Sequence, residues 1–183
     1  MHQQHNILID AVKKARMGDR NAAALLYQHF SKAMFNLCIR MTGNREDAED
    51  VLQEAFVIAL KKLDQLKNDN LFAGWLKKIV VSECCKLNKK RFSWTAFTIS
   101  NEEEKQEEDS TWLDAVCSKR MHEAIKALPE GCRQVFNLFA VEDYSHKQVA
   151  EHLNISESTS KSQYQRARQL LKEHLLKHLS LHG

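Results

Sequence analysis

The stretch Ser145 to Arg168, SHKQVAEHLNISESTSKSQYQRAR, has the residue types and spacing to read nucleic acid. Ser145 and Gln148 have the S-x-x-Q spacing of a capping box, which starts a helix by satisfying two orphan backbone donors. Val149, Ala150 and Leu153 follow as that helix's inner face. Asn154 stands where the chain must turn, and asparagine tolerates the left-handed conformation a turn needs. Ser156 then caps a second helix with Ser160, Tyr164, Ala167 and Leu171 on its inner face. Two short helices and a tight turn make a helix-turn-helix. Lys161, Ser162, Gln165 and Arg166 share the opposite face of the second helix, spaced i, i+1, i+4 and i+5. Their side chains suit base edges and phosphates in a major groove. A helical hairpin with a solvated polar face would show the same pattern.

A second signal is a charge split. Residues 44–54, NREDAEDVLQE, carry five acids against Arg45 alone, and residues 75–91, WLKKIVVSECCKLNKKR, carry six bases against Glu83. The two segments could pair with each other, or present one surface to a protein and one to nucleic acid; solvation alone also accounts for charged helix faces. Enzymatic chemistry finds little support. The chain has no glycine-rich phosphate loop, H-E-x-x-H, G-x-S-x-G or paired C-x-x-C. Cys84 and Cys85 read as a core thiol beside a partly exposed one. His174, His178 and His182 recur at i+4 and read as a polar C-terminal face, or as metal ligands if the last helix extends that far.

The elements that position these residues are helices. Five glycines and one proline in 183 residues are too few for the turns of a strand-rich fold. Apolar residues step by three and four at Leu26, Phe30, Ala33, Leu37 and Met41, again from Ala48 to Leu63, and again at Phe72, Trp75, Leu76 and Ile79. Gly18 and Gly43 fall where two of these runs stop, and Asn44 is placed to cap the next. The spacing predicts helices over 6–17, 21–42, 45–64 and 71–91. Residues 101–114 break the pattern with seven acids against Lys105, the composition of a flexible tether. A second helical block starts near Trp112 or Lys119, with Met121, Ala124, Ile125 and Leu128 as one stripe. Pro129 suits the first turn of a further helix carrying Val135, Phe136, Leu138 and Phe139. The fold class is therefore all-α, as two small helical domains on an acidic linker. No apolar run is long enough to span a membrane. No signal peptide is evident, and five cysteines without a framework point to reduced thiols in the cytoplasm.

Two signatures then stand in order. The first half carries AALLYQHFSKAMFNLCIRMTGNREDAEDVLQEAFVIALKKL and LFAGWLKKI; the second carries ALPEGCRQVFNL and SHKQVAEHLNISESTSKSQYQRARQLLKEHL. Over about residues 6–92 and 119–176 the chain resembles a bacterial RNA polymerase sigma factor of the compact extracytoplasmic-function (ECF) type. The resemblance implies region 2 over 1–92, an acidic linker over 93–118 and region 4 over 119–183. It assigns Asp47, Glu49, Asp50, Gln53 and Glu54 to the helix that docks on the β′ clamp coiled coil of core polymerase, with the β flap as a further contact. It assigns the loop Leu66–Asn70 (Asn68, Asp69 and Asn70 among it) and Ser82 to a pocket for a flipped −10 base. Lys77, Lys78, Lys86, Lys89, Lys90 and Arg91 would track the melted strand, and Trp75 would belong to the core. Thr159, Lys161, Ser162, Gln165, Arg166 and Arg168 match positions that contact the −35 major groove. The linker would thread toward the active-site and RNA-exit path. The implied function is promoter-specific initiation, non-enzymatic, with no catalytic residue, cofactor or metal and with an anti-sigma factor as a further partner. The alternative is a stand-alone helix-turn-helix regulator. Three departures concern DNA reading, one of them Gln165, which stands where larger or apolar residues occur in some members. Ser82 replaces a frequent asparagine, and the usual T-V-K-S-R is Thr159-Ser160-Lys161-Ser162-Gln163, without its apolar and its second basic residue.

Overall fold

The computed structural model describes residues 2–91 and 118–179, with side chains omitted at 2–4, 89–91, 118–119 and 177–179. These fall into two compact units, one on each side of the undescribed segment. No strand occurs among the described residues. The first unit holds α1 (His2–Arg16), α2 (Arg20–Thr42), α3 (Arg45–Lys61) and α4 (Phe72–Arg91), with two single 3-10 turns, Leu63–Gln65 and Asp69–Leu71, between α3 and α4. The second holds α5 (Ser118–Ala127), α6 (Glu130–Phe136), a π-helical turn (Asn137–Val141), α7 (His146–Leu153) and α8 (Glu157–Leu179). Most of the predicted linker, and with it Trp112, lies outside the described residues.

Local chemistry explains where the first four helices stop and start. Gly18 (φ 88°) and Gly43 (φ 81°) both take the left-handed conformation that lets the chain leave a helix without a Cβ clash. After the first, Asp19 caps α2 by accepting from the Asn21 and Ala22 backbone N–H groups at 2.8 and 3.2 Å. After the second, the Asn44 side chain accepts from the Asp47 N–H at 2.8 Å. Buried Asn88 reaches from α4 to donate to the Met41 carbonyl at 3.3 Å, satisfying one of the carbonyls that the end of α2 leaves open.

The core of this unit is drawn from Val12, Leu26, Leu37, Met41, Ala48, Val51, Leu52, Ala55, Leu76 and Val80, all buried. The predicted stripe of α2 fails at Ala33, which is exposed between buried Leu26 and Leu37. Phe30, Phe72 and Trp75 form an aromatic ladder with centroids 5.3 and 6.1 Å apart. Trp75 is half-buried at its edge rather than central. Cys84 and Cys85 are both buried, so neither is the partly exposed thiol expected. A hydrogen bond with Cys38, then burial, push the Cys84 thiol well up, which keeps it protonated and unreactive.

The second unit packs α5, α6 and α8 around Ala124, Ile125, Leu128, Cys132, Phe136, Ala167, Leu171 and Leu175. Pro129 stands immediately before α6, where its missing N–H costs nothing. Arg133 Nη1 donates to the Lys126 and Leu128 carbonyls, each at 3.3 Å, and so closes the turn between α5 and α6.

Candidate nucleic-acid interface

In the second unit the capping box is complete. The Gln148 N–H donates to Ser145 Oγ at 3.3 Å and the Ser145 N–H donates to Gln148 Oε1 at 2.9 Å. Asn154 ends α7 at φ 58°, and the Thr159 N–H donates to Ser156 Oγ at 2.9 Å to start α8. Val149, Ala150 and Leu153 are buried from α7, and Ser160, Ala167 and Leu171 from α8, with Tyr164 half-buried among them. The opposite face of α8 presents Lys161, Ser162 and Gln165 to solvent, with Arg166 and Arg168 half-exposed beside them. Lys161 pairs with Glu157 at 2.8 Å, Ser162 Oγ donates to the Thr159 carbonyl at 3.0 Å, and the Arg168 guanidinium lies 5.9 Å from the Tyr164 ring centre. Thr159 is half-buried in the cap, its hydroxyl 2.8 Å from Ser156 Oγ. The geometry is a helix-turn-helix with an outward polar and basic face.

Two side chains outside the predicted helix faces hold α8 in place. His146 stacks on Phe139 with centroids 4.0 Å apart, meets Tyr164 edge-on, and has Nδ1 2.9 Å from Ser160 Oγ. Burial, then the Lys161 charge, lower its pKa, against an opposing pull from Glu157. Buried Gln163 accepts from Cys132 Sγ at 3.0 Å, which ties α8 to α6. No motif flags such pairs, because each joins residues distant in sequence; a polar residue on a predicted inner face was the available clue.

In the first unit, α3 turns Asp50, Gln53 and Glu54 to solvent, and Glu49 is half-exposed with an ion pair to Arg45 at 2.7 Å. Asp47 differs from the surface placement expected of it. It is 7 % exposed and takes a hydrogen bond from the Asn44 side-chain amide, because it stands one turn before buried Val51, at the edge of the inward side of α3. A groove of about 380 Å³ runs between α2 and α3, lined by Tyr27, Lys32, Phe35, Glu49, Leu52 and Gln53 among others.

On α4, Lys78, Ser82 and Lys86 follow at i, i+4 and i+8, with Lys78 and Lys86 exposed and Ser82 half-buried. Lys86 pairs with Glu83 at 2.6 Å, and Lys77 is half-buried on the flank. Lys89, Lys90 and Arg91 continue the helix; their side chains lie outside the described ones. In the preceding loop, Asn68 and Asn70 are exposed, and Asn68 Oδ1 accepts from the backbone N–H and side-chain amide of Asn70, each at 3.0 Å. Asp69 instead faces inward to Arg16 at 2.6 Å and is 15 % exposed. No described helix is long and apolar enough to cross a membrane.

Comparison with known proteins now decides what this pair of units is. Residues 26–91 match the family model for Sigma-70 region 2, and residues 118–171 match that for Sigma-70, region 4. The chain belongs to the sigma-70 family. ECF RNA polymerase sigma factor SigW of Bacillus subtilis is 27 % identical over 177 residues, covering 90 % of this chain and 94 % of the relative. ECF RNA polymerase sigma factor SigM of Mycobacterium tuberculosis is 28 % identical over 167 residues, covering 91 % and 83 %. Among solved structures, the sigma factor RpoE in complex with the anti-sigma factor NepR from Bartonella quintana has a TM-score of 0.54 at 20 % identity, over 83 % of this chain and 95 % of that one. CnrH in complex with the cytosolic domain of CnrY has a TM-score of 0.53 at 24 % identity, over 92 % and 97 %. This sigma factor is thus a transcription initiation factor of ECF type, not an enzyme, and its partners are core RNA polymerase and promoter DNA.

Proposed function

We propose that the two units divide promoter recognition at the level of single residues. Residues 1–92 act as the polymerase-docking and −10 module and residues 119–183 as the −35 module, with 93–118 as the tether. The outer face of α3, centred on Asp50, Gln53 and Glu54 and flanked by Glu49, meets the β′ clamp. Asp47 supports it from the helix start. Asn68, Asn70 and Ser82 receive the extruded −10 base, and the Lys78–Lys86 stripe of α4 with Lys77, Lys89, Lys90 and Arg91 follows the melted strand. Lys161, Ser162, Gln165 and Arg166 read the −35 groove, with Thr159 and Arg168 at its phosphates. The observation that carries this reading is the pairing of an outward acidic face in the region-2 unit with a polar recognition face in the region-4 unit.

Work of this kind takes place in the cytoplasm, where polymerase and promoter are. An anti-sigma factor would complete the system, since the sigma factor RpoE, of the same fold, has been solved with the anti-sigma factor NepR. A stand-alone regulator has no use for the acidic α3 face, and the family match favours the sigma reading over it. The test is charge reversal at exposed positions. Asp50→Lys with Glu54→Lys should abolish binding to core polymerase in a pull-down while both units keep their helicity. Retained binding and promoter output would overturn the assignment of this face.

A further inference from the structure

Arg16 is the last residue of α1, far in sequence from any residue assigned to DNA. Its side chain nevertheless reaches the loop between α3 and α4 at three points. Nε donates to the Leu63 carbonyl at 3.3 Å, and Nη2 donates to the Leu66 carbonyl at 3.2 Å and to Asp69 Oδ1 at 2.6 Å. The pair with Asp69 is largely shielded, at 29 % and 15 % side-chain exposure. From residue 62 to 71 the loop contains only two isolated 3-10 turns, and no backbone bond of its own joins the first turn to the second, so beyond buried Leu63 and Leu66 it is Arg16 that ties the two together. The planar guanidinium can hold two carbonyls and a carboxylate at once, which a lysine ammonium cannot do in fixed geometry. Arg16 is itself anchored, because Gly18 closes the end of α1 with its N–H on the Ala15 carbonyl at 3.0 Å. At the loop's outer side, His5 Nε2 lies 3.1 Å from Asn70 Oδ1.

We infer that Arg16 is a positioning residue for base selection at the −10 element: it clamps the Leu63–Asp69 loop so that Asn68 and Asn70 present a fixed set of donors and acceptors. The inference rests on the reading of that loop as the base pocket. Asp69 thereby serves as the clamp's anion and not as a base contact. Discrimination between bases depends on polar groups held in place before the base arrives, so loosening the loop lowers selectivity more than overall affinity.

The experiment uses holoenzyme assembled from core polymerase and the full chain, transcribing a template pool randomised at the −10 element, with transcripts sequenced. Arg16→Gln should reduce discrimination at one non-template position by about tenfold, the scale of one ~1.4 kcal/mol interaction. Affinity for core polymerase and preference at the −35 element should not change. Arg16→Lys should recover part of the loss, and Asp69→Asn, which spares both carbonyl bonds, should give a smaller one; that variant also serves if Arg16→Gln fails to fold. Asn68→Ala and Asn70→Ala separate the two ideas. If they alter base preference while Arg16→Gln and Asp69→Asn leave the profile as in the parent, the clamp is wrong and the pocket stands. If none of the four changes it, the pocket reading itself is wrong, and the clamp with it.

Discussion

The His146–Ser160 pair can be taken apart by exchange. His146→Phe keeps a ring in the stack on Phe139, at 4.0 Å and 12° in the parent, and in the edge contact with Tyr164. The substitution therefore removes the hydrogen bond more than the packing. What it leaves is a Ser160 hydroxyl with no solvent exposure and no partner on α7. An unsatisfied buried hydroxyl costs about 1–3 kcal/mol. A helical serine can turn its Oγ back to the carbonyl one turn earlier, here that of Ser156, which places the cost near 1 kcal/mol, the lower end of that range. Ser160→Ala leaves an imidazole nitrogen that water can reach, because His146 is only half-buried, and should cost about 0.5 kcal/mol. The double variant lacks both polar groups and should lie close to the parent, a coupling of about 1.5 kcal/mol, the sum of the two single costs.

In a unit of this size 1 kcal/mol corresponds to roughly 4–8 °C in Tm. The assay is thermal unfolding of the full chain, with hydrogen exchange over α7 and α8 to assign the transition. Acid adds a second readout. The folded state lowers the His146 pKa, so the neutral ring's contribution is complete above the unfolded value and is lost as pH falls through the folded one. On protonation Nδ1 can only donate, so the Ser160 hydroxyl is restricted to accepting there. The second unit of the parent should thus lose stability on acidification, and the His146→Phe unit should lose less. Strictly additive costs, together with an unchanged acid slope in His146→Phe, would refute this account of what seats the recognition helix.

Lys161→Ala or Arg166→Ala should weaken holoenzyme binding by about 1–3 kcal/mol if the side chain meets a base edge, or reduce the salt slope by about 1 if it meets a phosphate. Promoter titrations at several salt concentrations distinguish these outcomes, and no effect from either would remove α8 as the reading face. Gly74 lies exposed in the first turn of α4, and a Cβ built there meets nothing within 4 Å. Gly74→Ala should accordingly stabilise the first unit by about 0.5 kcal/mol, seen as a higher Tm; a lower one would show that the glycine has a backbone role.

Local interactions were legible from the sequence. The capping box at Ser145, the left-handed Asn154, the glycine stops at positions 18 and 43 and the Asn44 cap are each settled within a few residues, so residue type and spacing suffice. The same holds for the periodic faces of α3, α7 and α8, since a regular helix converts spacing directly into side. Helix ends were less legible. The segment predicted as one helix over 45–64 ends at Lys61, and the 3-10 turns that follow carry no periodic signal.

Tertiary structure alone decided which polar residues turn inward. Asp69 sits between two exposed asparagines and is drawn under by Arg16, 53 residues away. Gln163 turns inward to a partner from another helix, Cys132 of α6, and Ser160, whose inward side follows from spacing, finds its partner in His146 of α7. A buried polar group is tolerated only where a partner meets it, and that partner comes from whichever segment the fold brings alongside, so no local pattern encodes it.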